Sequence, residues 1–467
     1  MIDQELLNQY KEWIRERNKD FKEREDGFDI ENDYGKGEIN FVSLDNVVVE
    51  MKVISKKDEE DRFYLHFELR DLDYAKELFD QMVESFNGLE KEKNHKILLS
   101  CTGGLTTLFF ATKLNDAAKV LNTPVEFDAV GFEQLYERAF EYDVILLAPQ
   151  IKHMHDKAQE ILKDKIVMDI PPKIFAEYDA GALINDTFRK LRERRRKKDR
   201  EILKARGSIR NDKKILSIAI MPSSYGTRIA YRFYDKGEPV INETVIKPAM
   251  NILRDITDIL DTAILREKQI DAISIQIPGI VNNGCVDLPG RIERGFNVKE
   301  YMEEKYGVKT YLANNVNAAA LGYYAIQDEC KNIAFLSQPR GWTIGGAGLV
   351  INGRPVIGKS GMAGETRHLN PILKEIEVKD AMHANIQETI EAITRQLIAI
   401  ISIVDPELIL VRSELVPDMN DLKESLEKEF KEEQIPKLIH VSEEDMSDYV
   451  LLGGMIQCIY DNKKISN

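Results

Sequence analysis

Between residues 95 and 185, short Ile-, Leu- and Val-rich runs alternate with helix-length amphipathic stretches. That alternation restricts the segment to a parallel sheet with helical crossovers. Runs 96–100, 125–129, 143–147 and 166–169 read as strands, and 106–121, 132–140 and 154–162 as helices. The first strand breaks into Cys101-Thr102-Gly103-Gly104-Leu105-Thr106-Thr107 before the first helix. Its two glycines permit a tight turn with close backbone approach, and the helix start offers free N–H groups and a positive dipole end, which favour a thiolate and a bound phosphate. The carboxyl end of a strand is where such sheets bind ligands. Taken alone, Cys101 also reads as a small apolar residue closing a strand.

The chain has 467 residues, which at about 150 per domain gives about two to four domains. Its 43% hydrophobic and 31% charged content describes an ordinary globular protein. No apolar run approaches the ~18 residues needed to span a bilayer, and Met1-Ile2-Asp3-Gln4 begins no signal peptide, so a cytoplasmic location is expected. Cys101, Cys285, Cys330 and Cys458 are widely spaced, giving neither a disulfide framework nor a CxxC pair. The net charge of −15 argues against general nucleic-acid affinity.

Positive charge is concentrated between Arg189 and Arg206, including Arg192, Arg194, Arg195, Arg196, Lys197, Lys198, Arg200 and Lys204. This reads as a solvated, helical basic linker over 186–213. Residues 1–94 read as an α+β accessory domain of unassigned role: a polar helix over 4–21, strands at 38–44, 47–54 and 62–69, and a helix over 74–86. They contain no helix-turn-helix pattern. His153 and His155 form an HxH pair with no third ligand nearby and read as an exposed loop end.

The segment 95–185 resembles the lactose/cellobiose-type IIB component of the bacterial phosphotransferase system. ILLSCTGGLTT matches its cysteine loop, and VILLAPQIKH carries Ala148-Pro149-Gln150 after the third strand. The resemblance implies that Cys101 accepts phosphoryl from a histidine of a IIA-type donor and passes it to a sugar in a membrane IIC component.

From Lys214 onward the chain resembles the ROK family of sugar kinases and repressors, which implies an actin-like ATPase fold of two α/β lobes around a cleft. The matching pieces are IQIPGIVNNGCVDLP, ANNVNAAALG, IGGAGLVINGRPVIG, MAGETRH and VDPELILV, in the family's order. The fold class expected is therefore a multidomain α/β protein: accessory domain 1–94, IIB-like domain 95–185, and ROK-like sugar-binding domain 214–467. The resemblance places Asn297, Asn314, Asn315, Glu365 and His368 at sugar-contacting positions. Read locally, Asn297 serves equally well as a turn or cap residue, Glu365 as a loop carboxylate and His368 as a satisfied polar group.

Departures from the ROK pattern bear on activity. The DxGGT phosphate loop is Ser223-Ser224-Tyr225-Gly226-Thr227, lacking its acid and first glycine. The catalytic aspartate position holds Asn315, and an amide cannot take a proton near neutral pH. Arg412-Ser413 replaces the Gly-Gly that packs on adenine, leaving a degenerate nucleotide site of Gly226, Thr227, Gly345, Gly346 and Gly348. His368 lacks the neighbouring cysteines of the family's zinc motif, so no cofactor is expected: neither zinc, ATP nor magnesium.

Two readings of different class remain. One is a phosphotransferase-linked sensor whose degenerate cleft binds a sugar or sugar phosphate without turnover. The other is an enzyme, either a IIB phosphocarrier serving a separate IIC or an atypical ROK kinase. A ROK-type repressor trails both. The expected partners are a IIA-type donor, a sugar or sugar phosphate and a membrane IIC, with nucleic acid disfavoured and a homo-oligomer left open.

Overall fold

The computed structural model describes residues 4–57, 59–91, 95–120, 123, 125–163, 165–189, 211–223, 226–247, 251–267, 269–288, 292–293, 295–327, 329–338, 345–369, 386–413, 416 and 418–460. Most of the basic linker, 190–210, lies outside them, as do Ser224 and Tyr225 of the altered phosphate loop and the side chains of Leu105 and Thr227.

Residues 95–185 form a four-stranded parallel sheet in the order Val125–Gly131, His95–Cys101, Val144–Leu147, Ile166–Asp169. The helix Leu105–Val120 buries Phe110 and Leu114 against Ile97, Leu99 and Phe127 on one face. The opposite face packs Leu135, Ala139, Ile151, Ala158 and Ile161. The helix expected over 132–140 is three short pieces, Phe132–Gln134, Leu135–Arg138 and Ala139–Glu141. After the third strand, Pro149 opens a 3₁₀ turn, Pro149–Met154, and the α-helix is only His155–Ile161.

Residues 214–460 form two lobes. The first centres on strands Lys214–Ser223, Gly226–Asp235, Glu238–Lys247, Ala272–Ile277 and Lys309–Asn314. The second has a five-stranded sheet ordered Arg354–Pro355, Gly346–Ile351, Ile333–Gln338, Leu408–Ser413, Lys437–His440. Helices Asn315–Tyr324 and Glu443–Tyr460 pack against each other between the lobes. Their crossing is set by glycine: a Cβ at Gly453 would stand 2.0 Å from the Ala318 carbonyl oxygen, and one at Gly322 1.9 Å from that of Tyr449.

Residues 4–91 do not stand apart from this architecture. Strand Asp61–Glu68 pairs antiparallel with Glu238–Lys247, Tyr64 opposite Ile246, and extends the first lobe into one ten-stranded sheet. One core runs through both parts, placing Met51, Phe63 and Phe79 in a cluster with Ile218, Ile229, Ile256 and Ile259. Two further strands, Lys22–Arg24 and Gly27–Glu31, form the outer edge; the first is polar throughout, and the second alternates over only five residues, burying Phe28 and Ile30. The IIB-like segment thus interrupts, in sequence, a body that is continuous in space.

Charged groups occupy this seam. Lys247 Nζ lies 2.6 Å from Asp255 Oδ1 with both side chains almost inaccessible, Arg70 bonds Asp261 at 3.1 Å, and the Tyr74 hydroxyl donates to Asp258. Burial pushes the Asp258 carboxyl up to about 7 against the Tyr74 hydrogen bond, with Asp255 adding to the rise. Folded Asp258 thus keeps its proton to higher pH than the unfolded carboxyl, whose pKa is about 4, so its stabilising contribution is complete below that value and is lost as pH rises through about 7. Asp258→Asn is neutral throughout, so its melting temperature relative to wild type is expected to be higher at pH 8 than at pH 5. Equal differences at both pH values in paired thermal melts would refute this assignment.

Candidate functional site

Cys101 ends the central strand His95–Cys101 and is almost fully buried at its mouth. The chain turns at Gly104, whose φ of 81° suits a residue without Cβ, and the helix begins with Leu108 N–H donating to Gly104 O at 2.9 Å. This turn wraps the sulfur. Gly104 N–H donates to Cys101 Sγ at 3.1 Å, and Thr107 Oγ1, itself inaccessible, lies 3.2 Å from Sγ and 2.9 Å from Gly104 O. Burial alone would raise the thiol pKa; hydrogen bonds from Thr107 and from the backbone N–H groups of Gly104, Thr107 and Gly103 outweigh it and hold the thiol below its ordinary value. Thr102 and Gly103 are exposed at the rim.

Three features of this domain were not legible as functional from sequence. Leu108 and Phe109, in the first turn of helix Leu105–Val120, are about half exposed beside the loop, an apolar rim that a burial pattern could have flagged. His155 Nδ1 lies 2.9 Å from Asp169 Oδ1 at the same carboxyl edge of the sheet, so His155 is tied into the fold, whereas His153 is exposed. The opposite end of the domain meets the second lobe, where Lys163 Nζ donates to His440 O at 2.9 Å. Helix Leu105–Val120 lies on the other face of the sheet from the 135–163 elements.

The ROK motifs converge on one region between the lobes. Asn314 caps helix Asn315–Tyr324, its Oδ1 accepting from Val316 and Asn317 N–H, while Nδ2 donates to Gly279 O at 2.9 Å. Asn315 is buried and donates from Nδ2 to Ile220 O at 3.4 Å, beside the altered phosphate loop. Asn297 caps helix Val298–Tyr306 by accepting from Glu300 N–H at 3.1 Å and sits against Gly284. Glu365 is half-buried and His368 exposed, on the 3₁₀ turn Thr366–Leu369 and the residue before it. Thr366 Oγ1 donates to Gly345 O at 2.6 Å, and Gly361 approaches Val281 O so closely that a Cβ would stand 2.2 Å away. These contacts join the 280–287 hairpin, the Asn-Asn pair and the 361–369 loop.

Two of the glycines serve packing. A Cβ at Gly345 would meet Ser337 O at 1.9 Å, and one at Gly348 would meet Val316 O at 2.3 Å; Gly346 faces open space. Gly226 pairs with Ser223 across the hairpin, and Thr227 follows it in the strand. Arg412 is buried at the end of strand Leu408–Ser413, its guanidinium 3.3 Å from Glu443, and Ser413 Oγ lies 3.3 Å from Gln338 Oε1. Among the described residues, no group of three or more His, Cys, Asp or Glu is placed to hold a metal ion, and no helix is long and apolar enough to cross a membrane.

Two family models match the chain, the lactose/cellobiose-specific IIB subunit of the PTS system over residues 96–185 and the ROK family over residues 226–379. The chain therefore joins a IIB domain to a ROK domain. Among curated proteins, the DNA-binding transcriptional dual regulator NagC of Escherichia coli (strain K12) is 27% identical over 123 residues, 25% of this chain and 30% of that protein. The oligo-beta-mannoside-specific EIIB component of the PTS system in Bacillus subtilis (strain 168) is 31% identical over 65 residues, 14% of this chain and 63% of that protein. The chain spans under a third of the first relative's length and under two thirds of the second's. A solved ROK hexokinase from Thermus thermophilus superposes with a TM-score of 0.41 at 18% identity, covering 53% of this chain and 99% of that one.

The cradle assigns Thr107 a measurable role. Thr107→Val keeps the side-chain shape but removes the hydroxyl, and is expected to raise the midpoint of the pH profile for Cys101 alkylation by iodoacetamide and to slow the reaction several-fold at neutral pH. Thr107→Ser should restore both. An unchanged midpoint in Thr107→Val would remove the hydroxyl from the account of thiol activation.

Proposed function

We propose that this protein is a phosphotransferase-system-linked carbohydrate sensor, in which Cys101 accepts phosphoryl from a IIA-type donor and the ROK cleft binds a sugar or sugar phosphate without turning it over. The cradle around Cys101 carries the reading: a thiol held below its ordinary pKa, with backbone N–H groups at a helix start, suits a nucleophile that must then bear a phosphoryl group. In the transfer, Sγ attacks the phosphorus of the donor's phosphohistidine, the S–P bond forming as the N–P bond breaks and the electron pair returning to the imidazole. The apolar rim of Leu108 and Phe109 supports docking of a protein donor rather than a free small molecule.

The second half of the reading rests on what fills the kinase positions. Asn315 spends its amide on Ile220 O and cannot serve as a base, and Arg412 with Glu443 occupies the strand end where the family keeps bare glycine. These residues do not fit bound ATP and magnesium, and His368 has no cysteine partners for zinc. In this reading Glu365, His368 and the second Nδ2 hydrogen of Asn314 meet the sugar hydroxyls.

The contact between Lys163 and the His440 carbonyl supports communication between the two halves. His440 ends strand Lys437–His440, pairs with Val411 and lies next to Arg412. Burial, with Lys163 adding to it, lowers the His440 imidazole to about 4, so it is neutral in the folded protein. A lobe movement on ligand binding would be felt at this junction.

Intact-mass measurement after incubation with the general phosphotransferase proteins and a IIA donor is expected to show one added phosphoryl, lost in Cys101→Ser. Hexoses, aminosugars and disaccharides are expected to give no ADP release, while at least one sugar or sugar phosphate should shift the melting temperature in wild type and not in Glu365→Gln with His368→Ala. Absence of the mass increase with every cognate IIA, or sugar-dependent ADP release at enzymatic rates, would overturn the reading.

A further inference from the structure

A polar cleft of about 450 Å³ opens over the seam between residues 4–91 and the first lobe, away from both sites described above. Its lining includes Asn40, Glu50 and Tyr64 from residues 4–91 and Asn242, Glu243 and Ile246 from the first lobe. The cleft exists because strand Asp61–Glu68 joins Glu238–Lys247, and it flanks their pairing at Tyr64 and Ile246. A volume in the range of about 300–1,000 Å³ is ordinary for a small-molecule site.

A buried chain of side chains holds its acceptors in place. Thr262 Oγ1 lies 2.6 Å from His66 Nδ1, His66 Nε2 lies 2.7 Å from Tyr231 Oη, and Tyr231 donates to Glu243 Oε2. The Thr262 hydroxyl also lies 2.9 Å from Asp258 O and 3.1 Å from Ile259 O; with His66 protonated on Nε2, the ring donates to Tyr231 and Tyr231 to Glu243, which fixes the carboxylate. His66 is 2% exposed, and burial lowers it to about 4, which keeps it neutral in this role. Arg266 Nη1 donates to the other oxygen of Glu243 at 2.8 Å.

On the neighbouring strands, Tyr64 Oη donates to Glu50 Oε1 at 2.9 Å and lies 3.5 Å from Glu243 Oε2, and Asn40 Nδ2 donates to Glu50 Oε2 at 2.9 Å. Asn242 Oδ1 accepts from Arg232 Nε at 3.0 Å, which leaves the donors of its Nδ2 to the cleft. Three of the four lining acids are ion-paired, Asp61 with Lys52 at 3.2 Å, Glu38 with Lys36 at 2.6 Å and Glu243 with Arg266 at 2.8 Å, while Glu50 is held by Tyr64 and Asn40. Two oriented carboxylates with spare lone pairs, an amide donor and a tyrosine ring make a lining that gives each hydroxyl of a ligand both an acceptor and a donor. It offers no concentrated positive charge for a phosphate.

We infer that this cleft is a second ligand site, and that it takes a neutral, hydroxyl-rich compound, a saccharide by chemical class. The inference does not depend on phosphorylation of Cys101 or on ligand binding between the lobes.

The test is isothermal titration of the full chain with lactose, cellobiose, glucose 6-phosphate and spermidine, on wild type, on Glu50→Gln with Asn242→Ala, and on His368→Ala. The expected result is that a neutral disaccharide binds wild type and His368→Ala equally and binds the double variant about tenfold or more weakly, since each lost hydrogen bond to a charged or oriented group costs about a factor of ten. Should the double variant lose cooperative melting, Tyr64→Phe, which removes one oxygen, replaces it with the same direction of effect. Binding of neither disaccharide, binding of spermidine or glucose 6-phosphate alone, or disaccharide binding that is lost in His368→Ala and kept in the seam variants would each overturn the inference. The last outcome would at the same time support the cleft between the lobes, so the two sites are told apart.

Discussion

The pairing of strand Asp61–Glu68 with Glu238–Lys247 decides the architecture of this protein. Through it, a helix-and-strand unit from the start of the chain shares a sheet and an apolar core with the first ROK lobe. Burying Phe63, Phe79, Ile229 and Ile259 in one cluster removes far more apolar surface from water than either part could alone, at about 25 cal/mol for each Å². The same burial forces charged groups into the seam. Lys247 with Asp255 and Tyr74 with Asp258 are tolerated there because each is partnered, and the raised Asp258 pKa records the cost of desolvation.

Around Cys101 the same balance of desolvation and hydrogen bonding has the opposite outcome. Burial opposes the thiolate, yet a turn that aims backbone N–H groups and one hydroxyl at the sulfur more than compensates. The arrangement is local, assembled within seven residues from Cys101 to Thr107, so it needs nothing from the ROK lobes. What the rest of the molecule contributes is position. With Lys163 docked at His440, the second lobe meets the 135–163 side of the IIB domain, and the cysteine rim with Leu108 and Phe109 stays exposed.

In the ROK half, the motif residues are engaged by backbone carbonyls. Asn315 turns its amide to Ile220 O, Asn314 divides itself between a helix cap and Gly279 O, and Gly345 and Gly348 are required by carbonyls that approach within van der Waals distance of where a Cβ would be. The local reading of Asn297 as a cap and the family reading of it as a sugar contact are compatible, since the cap uses one lone pair of Oδ1 and leaves the amide donors.

Local spacing was enough to show the alternating strands and helices of 95–185, the cysteine turn and the order of the ROK motifs, because each is written in residues adjacent in sequence: apolar runs of strand length, paired glycines, a helix start. The strands at 22–31 were not legible, since Lys22–Arg24 is polar throughout and the alternation of Phe28 and Ile30 spans only five residues. So did the shared sheet of residues 4–91 with the first lobe, the crossing of helices at Gly322 and Gly453, and the chain from Thr262 through His66 and Tyr231 to Glu243. Each of these joins groups far apart in the chain, such as Tyr64 with Ile246 or Lys163 with His440. Sequence alone determined which segments match the IIB and ROK families; tertiary structure decided that the first and third segments are one body with the IIB domain inserted between them, because only packing in three dimensions can bring two distant strand edges to the same row of hydrogen bonds.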